Sequence, residues 1–101
     1  MSNRLKTYIL RLIISEKPVD VTDEVYQVVF SHIVEYLDDI CSYVFRSIES
    51  ECVLRSIPLS DENIVQLITP TYCVKRAYEY LLYLQNAHEN AHDVEQVFLA
   101  R

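Results

Sequence analysis

The feature of this sequence that most constrains its fold is the complete absence of glycine from its 101 residues. Glycine enters the left-handed backbone region without steric cost, and the two-residue turns of β-hairpins depend largely on it. A chain without glycine therefore disfavours tight hairpins and favours helices joined by short connections. It also cannot form the glycine-rich loop that binds phosphate groups. Three prolines, Pro18, Pro58 and Pro70, remain as the strongest signals for helix ends.

The length and the apolar content predict one domain with a core of its own. Half of the residues are hydrophobic, 50% by count, and a chain of this size commonly forms one domain. We therefore expect an all-α protein in which residues 1–101 form a single helical domain. Within it, a three-helix part is predicted over about 3–69 and a further C-terminal helix over about 70–99.

The first predicted helix covers Asn3–Ser15. Its apolar residues recur at helical spacing, whereas basic residues lie elsewhere on the helical wheel. These apolar residues are Leu5, Ile9, Leu12 and Ile13. Lys17-Pro18 is predicted to end the segment, because the residue before a proline avoids the helical region.

The central segment is predicted to be one long helix from Thr22 to about Glu49. Thr22 is a favourable N-cap, and Asp23 and Glu24 lie in the first turn, where the helix dipole favours negative charge. No glycine or proline interrupts the segment before Pro58. One apolar stripe consists of Val25, Val29, Ile33, Leu37, Ile40, Val44 and Ile48. A second stripe consists of Phe30, Val34, Cys41 and Phe45.

Two further helices are predicted after a loop over Glu51–Leu59. Ser60 is expected to cap a short helix that Thr69-Pro70 ends, and Pro70 occupies a favoured first-turn position of the next helix. The short helix has an apolar face of Ile64, Leu67 and Ile68. The stripe of the last helix is Val74, Ala77, Tyr78, Leu81 and Leu84, with a continuation towards the end of the sequence.

The length of the central helix predicts a protein partner. A helix of about 28 residues is about 42 Å long, whereas a compact domain of this size has a radius of gyration of about 13 Å. The short helices on either side cannot cover two apolar stripes, and exposed apolar surface of that size commonly marks an interaction site. The seven residues of the first stripe are therefore the predicted dimer interface. The alternative is a monomeric bundle in which the last helix folds back over the central one.

The order of these helices resembles the histone fold, in which a long central helix is flanked by two short helices. The resemblance covers Leu5–Ile68, and it is nearest to core histones of the B type in the histone-two pair. It rests on helix lengths and on five groups of residues. They are Val21-Thr22-Asp23, the Ser31, Ile33, Ile40 and Arg46 spacing, Arg55-Ser56-Ile57, Ser60-Asp61-Glu62 with Ile64, and Thr69-Pro70 before a further helix.

The resemblance implies a handshake dimer, in which two chains cross at their long helices as a heterodimer or a homodimer. It also implies an ion pair between Arg55 of the second loop and Asp61 or Glu62. The chain departs from nucleosomal histones in its charge, because its net charge is −6 and its pI is about 4.9. This balance is nearer to acidic histone-fold subunits of transcription-factor type.

Nucleic acid is expected to be contacted only within a complex, since DNA affinity comes largely from phosphate neutralisation by basic residues. The candidate DNA contacts are Arg4, Lys6, Arg11 and Arg55.

One motif, His88-Glu89-Asn90-Ala91-His92, matches the HExxH pattern of zinc peptidases. Two histidines at this spacing share one helical face, and the glutamate serves as the general base. A catalytic zinc ion also needs a third protein ligand, and Asp93 and Glu95 cannot reach the same face as both histidines. The motif is therefore interpreted as a solvated helix face. We expect no metal ligands, no cofactor and no catalytic residues.

The cysteines and the absence of targeting signals predict a reducing location. Cys41, Cys52 and Cys73 are odd in number and lack CxxC spacing, which favours free thiols. No secretory signal is recognised, because Arg11 interrupts the only early apolar run. No segment approaches the ~20 apolar residues of a membrane span. The expected location is nuclear or cytoplasmic, or within a virion, with no membrane partner.

These observations together predict a non-enzymatic protein–protein interaction subunit that dimerises through a histone-like fold in a chromatin, transcription or viral assembly. One alternative is a divergent, DNA-compacting histone that acts within a heterodimer. The other is a monomeric helical bundle with an adaptor or structural role.

Overall fold

Helices make up most of the chain that the structure describes. The computed structural model describes the backbone of residues 3–99 and the side chains of residues 3–86. In that part of the chain there are five α-helices and no strand. They are α1 (Asn3–Ser15), α2 (Asp23–His32), α3 (Leu37–Leu54), α4 (Asp61–Leu67) and α5 (Pro70–Leu99). The predicted all-α class is confirmed, whereas the finer histone-like arrangement stays a prediction.

Helix α1 has the bounds that the sequence predicts. Leu5, Ile9 and Ile13 lie on one face and are buried. The helix ends at Ser15, and the chain then turns at Pro18, where the Val21 amide donates to the Pro18 carbonyl oxygen over 3.2 Å.

The predicted single helix from Thr22 to about Glu49 is wrong, because the segment is broken into α2 and α3. It begins as expected, with the Thr22 hydroxyl accepting a hydrogen bond from the Val25 amide over 3.3 Å. Residues 33–36 then form a turn, and α3 starts at Leu37 without a side-chain cap. The break has a tertiary cause: α2 and α3 both pack against α5, and a straight segment of about 48 Å could not wrap around the same core.

The first apolar stripe of the central segment is consequently covered by the chain's own helices. The prediction of a partner from the length of a single central helix therefore does not hold. Most of the stripe is buried in the chain's own core: Val29, Ile33, Ile40, Val44 and Ile48. Val25 and Leu37 are partly buried against that core. The fold thus takes the form of the alternative bundle, in which the last helix covers the central segment.

Helix α3 runs past its predicted end, and the loop begins at Arg55 rather than Glu51. Its C-terminus has two hydrogen bonds of the Schellman type: Ile57 N–H donates to Cys52 O over 2.9 Å, and Ser56 N–H donates to Val53 O over 3.2 Å. Ser56 has a positive φ of 56°. Glycine is the usual residue at that position, and in this chain, which has no glycine, a serine occupies it.

The last two helices begin where the sequence predicts. The Ser60 hydroxyl accepts a hydrogen bond from the Asn63 amide over 3.2 Å and caps α4. The Thr69 hydroxyl accepts one from the Tyr72 amide over 3.1 Å, and Pro70 is the first residue of α5. Helix α5 has 30 residues and packs against α1, α2 and α3. Cys73, Val74 and Ala77 bring it into the shared core.

Candidate interaction surfaces

An apolar groove lies between α2 and α5, next to the turn that separates α2 from α3. Its volume is about 360 Å³. One wall carries Val28, His32 and Tyr36, and the other carries Tyr78, Leu81 and Leu82. We call this surface the α2–α5 groove.

The walls of the α2–α5 groove are ordered by local contacts, yet they leave apolar surface open. His32 Nδ1 lies 2.8 Å from the Val28 carbonyl oxygen, where an N–H can donate, and its ring stacks on Tyr36 with centroids 6.5 Å apart. Val28 and Leu82 nevertheless remain 39% and 40% exposed. The groove thus offers a fixed shape with uncovered apolar side chains, which are the properties of a docking surface.

Sequence patterns identify only part of this groove. Tyr78 and Leu81 belong to the predicted stripe of the last helix, whereas Val28 and His32 belong to no predicted stripe. The four-residue spacing of Val28, His32 and Tyr36 is a helical signal that could have identified the second wall. Its pairing with α5 depends on the fold.

A larger groove of about 820 Å³ lies between α1 and α4. Arg4 and Arg11 line its α1 side, and Asp61 and Glu62 line its α4 side. These four ionic groups are solvated, so a ligand that filled the groove would have to remove water from all of them, which is costly unless each is paired. The smaller but apolar α2–α5 groove is therefore the better candidate for docking.

The four candidate DNA contacts do not form one basic surface. Lys6 of α1 forms an ion pair with Asp38 of α3, and the hydrogen bond that Lys6 donates to Asp38 raises the pKa of Lys6. Arg4 and Arg11 face the acidic side of the α1–α4 groove. Because Arg55 pairs with Glu51, all four cations are beside acidic groups, which weakens attraction to phosphate.

Arg55 does not make the ion pair that the histone resemblance implies. Its Nη1 atom lies 3.8 Å from Glu51 Oε1, one helical turn back along α3, and this is the ion pair the structure contains for Arg55. Both side chains are about half exposed, so the contact contributes little to stability.

A polar cluster joins α3 to α5 and has a structural role. The Tyr43 hydroxyl donates to Glu79 over 2.7 Å, and Arg76 Nη1 lies 2.9 Å from the other oxygen of Glu79. The Arg76 guanidinium also lies over the Tyr72 ring, 5.5 Å from its centroid. Donation to Glu79 raises the pKa of the Tyr43 hydroxyl, so it stays protonated and keeps the two helices joined.

The three thiols are buried. Cys41, Cys52 and Cys73 are all free. Burial raises the pKa of Cys41 to about 11 and that of Cys73 to about 12. Thiols of this kind are protonated at neutral pH and are poor nucleophiles.

The described residues hold no cluster of three or more His, Cys, Asp or Glu side chains that could bind a metal ion. The side chains of His88-Glu89-Asn90-Ala91-His92 lie outside the described residues, so the HExxH interpretation stays a prediction. Within the part that the structure describes, no helix is long and apolar enough to cross a membrane.

No protein-family model, no curated protein and no solved structure matches this chain. The histone resemblance therefore depends on the sequence pattern alone.

Proposed function

We propose that this chain is a non-enzymatic interaction subunit that binds an amphipathic helix of another protein in the α2–α5 groove. The observation that carries the proposal is the groove itself, where Val28 and Leu82 stay about 40% exposed on opposite walls. Groove-binding helices bury apolar residues at spacings of three and four between two such walls.

The composition of the groove favours a helix over a small polar ligand. Val28 on one wall, and a tyrosine and three leucines of α5 on the other, present mainly apolar surface, and Gln85 adds one polar side chain to the α5 wall. His32 and Tyr36 provide polar atoms among them, as in interfaces that combine an apolar centre with polar groups for orientation. The net charge of −6 additionally favours the approach of a partner with basic flanks.

The proposal is tested with two matched substitutions of exposed apolar residues. Leu82→Glu places a charge in the groove, whereas Val53→Glu places one on α3 at a residue that is 72% exposed and does not line the groove. Proteins retained by the full chain in extracts of its source cells are identified, and the helical segment of each is titrated against the purified variants. We expect Leu82→Glu to weaken binding at least about 10-fold, as for a residue central to an interface.

The control, Val53→Glu, is expected to bind as the unchanged chain does. Circular dichroism and the thermal midpoint check that both variants keep the fold. Equal binding by Leu82→Glu and Val53→Glu would contradict the proposal.

A second candidate function is pairing with another protein as a histone-type dimer. One form of that candidate is a heterodimer that compacts DNA. The starts of three helices, at Thr22, Ser60 and Pro70, support the pattern on which that candidate depends. Burial of the seven stripe residues against a second chain would require most of them to leave the core that they now share with α5. The dispersal of Arg4, Lys6, Arg11 and Arg55 favours protein pairing over DNA compaction.

A further inference from the structure

The turn between α2 and α3 is not encoded by the residues that form it. Residues 33–36 contain neither glycine nor proline. Tyr36, which precedes α3, has a φ of −116° and a ψ of 25° and makes no side-chain cap. Thr22 and Ser60, by contrast, cap their helices with side-chain hydrogen bonds. Apart from Ser31 and His32, whose side chains bond to carbonyl oxygens one turn back in α2, the break has no local signal. Such conflicts between sequence and fold are concentrated at strained or functional positions.

The turn is also close in geometry to a continuous helix. Tyr36 N–H donates to His32 O over 3.1 Å, and Ile40 N–H donates to Tyr36 O over 2.8 Å, both with the four-residue spacing of an α-helix. Ile33 on one side and Ile40 on the other are buried in the same core. A straight helix from Asp23 to Leu54 would restore the remaining backbone hydrogen bonds of the turn.

The turn divides the chain into two units that depend on each other. The N-terminal unit comprises α1 and α2, and the C-terminal unit comprises α3, α4 and α5. Helix α1 packs on α3 and α5, and α2 packs on α5. The polar contacts that join the units include the Lys6–Asp38 ion pair, a hydrogen bond of 2.8 Å from the Thr71 hydroxyl to Asp20 Oδ1, and a weak one of 3.9 Å from the Cys41 thiol to the Lys6 carbonyl oxygen. Each of these contacts could form equally well between two copies of the chain.

We infer that the chain forms a dimer with a second copy of itself, and that the two copies exchange their N-terminal units at this turn. In each copy the turn straightens into one helix, and the N-terminal unit of one copy packs on the C-terminal unit of the other. Such exchange is a low-cost route to a dimer, because the packing that is broken when each copy opens forms again between the two copies.

The exchanged dimer would gain burial of the Val34 side chain, which is 87% exposed in the structure of the single chain. Val34 lies in the joint between the two units, and in the dimer it would be covered where the two straightened helices approach each other. The groove walls on α2 and α5 would be rebuilt from α2 of one copy and α5 of the other, whereas Tyr36, which lies in the turn, would change its position relative to them. The exchange does not rest on the proposed function, since the groove walls that carry Val28 and Leu82 form both in the monomer and in the dimer.

A disulfide across the unit boundary tests the exchange. Asp20→Cys with Thr71→Cys replaces two short side chains whose atoms lie 2.8 Å apart, and the native thiols are kept because they are buried. The full chain is incubated at concentrations up to about 1 mM, separated by size, oxidised and run on a denaturing gel without reductant. We expect the dimer fraction to contain covalent dimers and the monomer fraction to contain internal disulfides.

Two outcomes of this experiment would overturn the inference. One is a dimer fraction whose disulfides are all internal, since that dimer forms by side-by-side association. The other is the absence of any dimer at the highest concentration. The single variants Asp20→Cys and Thr71→Cys control for cross-links through the native cysteines.

Substitution of Glu35 tests the straight helix itself. Glu35 is exposed in the turn, and Glu35→Pro would remove an amide and introduce a clash inside a continuous helix. We expect Glu35→Pro to raise the dimer dissociation constant at least about 100-fold, whereas the matched Glu35→Ala leaves it equal or lowers it. Equal dimerisation by both variants would contradict a straightened joint, and the disulfide result decides the question if Glu35→Pro does not fold.

Discussion

Two of the four connections between the described helices have different origins: that at residues 33–36, here called the first interruption, and that at residues 55–60, the second. At the second, local residues end one helix and begin the next: a Schellman-type end with Ser56 at positive φ is followed by Pro58 and then by the Ser60 cap. At the first, the residues would be acceptable inside a helix. One interruption is local, and the other is maintained by contacts between segments far apart in the sequence.

The difference shows which part of the fold depends on tertiary packing. A cap or a left-handed residue acts within a few residues and remains when the rest of the chain changes. The turn at residues 33–36 persists only while Ile33 and Ile40 stay in one core with α5. We therefore expect the stability effect of a substitution near the first interruption to depend on how much core packing it removes. Near the second interruption, we expect that effect to depend on which backbone conformation the new residue favours.

The largest effect is expected at the core side of the first interruption. Ile40 is fully buried, and Ile40→Ala should lower the free energy of unfolding by about 2–5 kcal/mol through lost burial and a cavity. Val34→Ala, in the turn itself, removes a side chain that is 87% exposed and should change it by less than about 0.5 kcal/mol. Urea unfolding monitored by circular dichroism measures both. Similar losses for the two variants would show that the turn is held locally, which would break the comparison.

The next effect concerns the reactivity of the buried thiols, which reports whether α3 and α5 become accessible to solvent together or separately. At neutral to mildly basic pH, burial and the raised pKa values should slow the reaction of Cys41 and Cys73 with an aromatic disulfide reagent about 100-fold relative to the unfolded chain. Mass spectrometry of quenched samples assigns the modified residue. Equal rates for the two cysteines would indicate one cooperative unit. Faster reaction of Cys41, which lies in α3 shortly after the turn, would show that the first region opens separately.

The same thiols carry a pH dependence whose sign follows from the raised pKa. The protonated Cys41 thiol is favoured in the folded chain, so its contribution to stability is complete below the ordinary value of 9.0. It is lost as the pH rises towards about 11. Cys41→Ser should reduce the loss of stability over this interval, measured by urea unfolding at a series of pH values. An unchanged pH dependence would assign that loss to other groups.

The smallest effect is expected at the second interruption. Ser56→Gly should raise the free energy of unfolding by up to about 1 kcal/mol, because glycine adopts a positive φ without steric cost. The matched Ser50→Gly lies inside α3 and should lower it by about 0.5 kcal/mol through lost helix propensity. Thermal unfolding distinguishes the signs. Destabilisation by both substitutions would mean that this end, too, depends on tertiary contacts.

Much of the fold could be predicted because its signals are local. The bounds of α1, the Thr22 and Ser60 caps and the start of α5 at Pro70 all follow from the chemistry of neighbouring residues. The prediction of one central helix was wrong for the same reason: helical spacing continues through residues 33–36, and spacing alone contains no information about what a helix packs against. The Arg55 pair was also misassigned, because Glu51 one turn away is its partner in the structure.

The sequence by itself determined that this chain is helical, which residues are apolar enough for a core, and where most helices begin. These properties depend on backbone sterics, capping and periodicity within a few residues. The tertiary structure alone decided that the central segment bends, that its main stripe is buried by the chain's own α5, and that Val28 and Leu82 meet across a groove. The physical reason is that burial of apolar surface between distant segments outweighs the few backbone hydrogen bonds given up at residues 33–36.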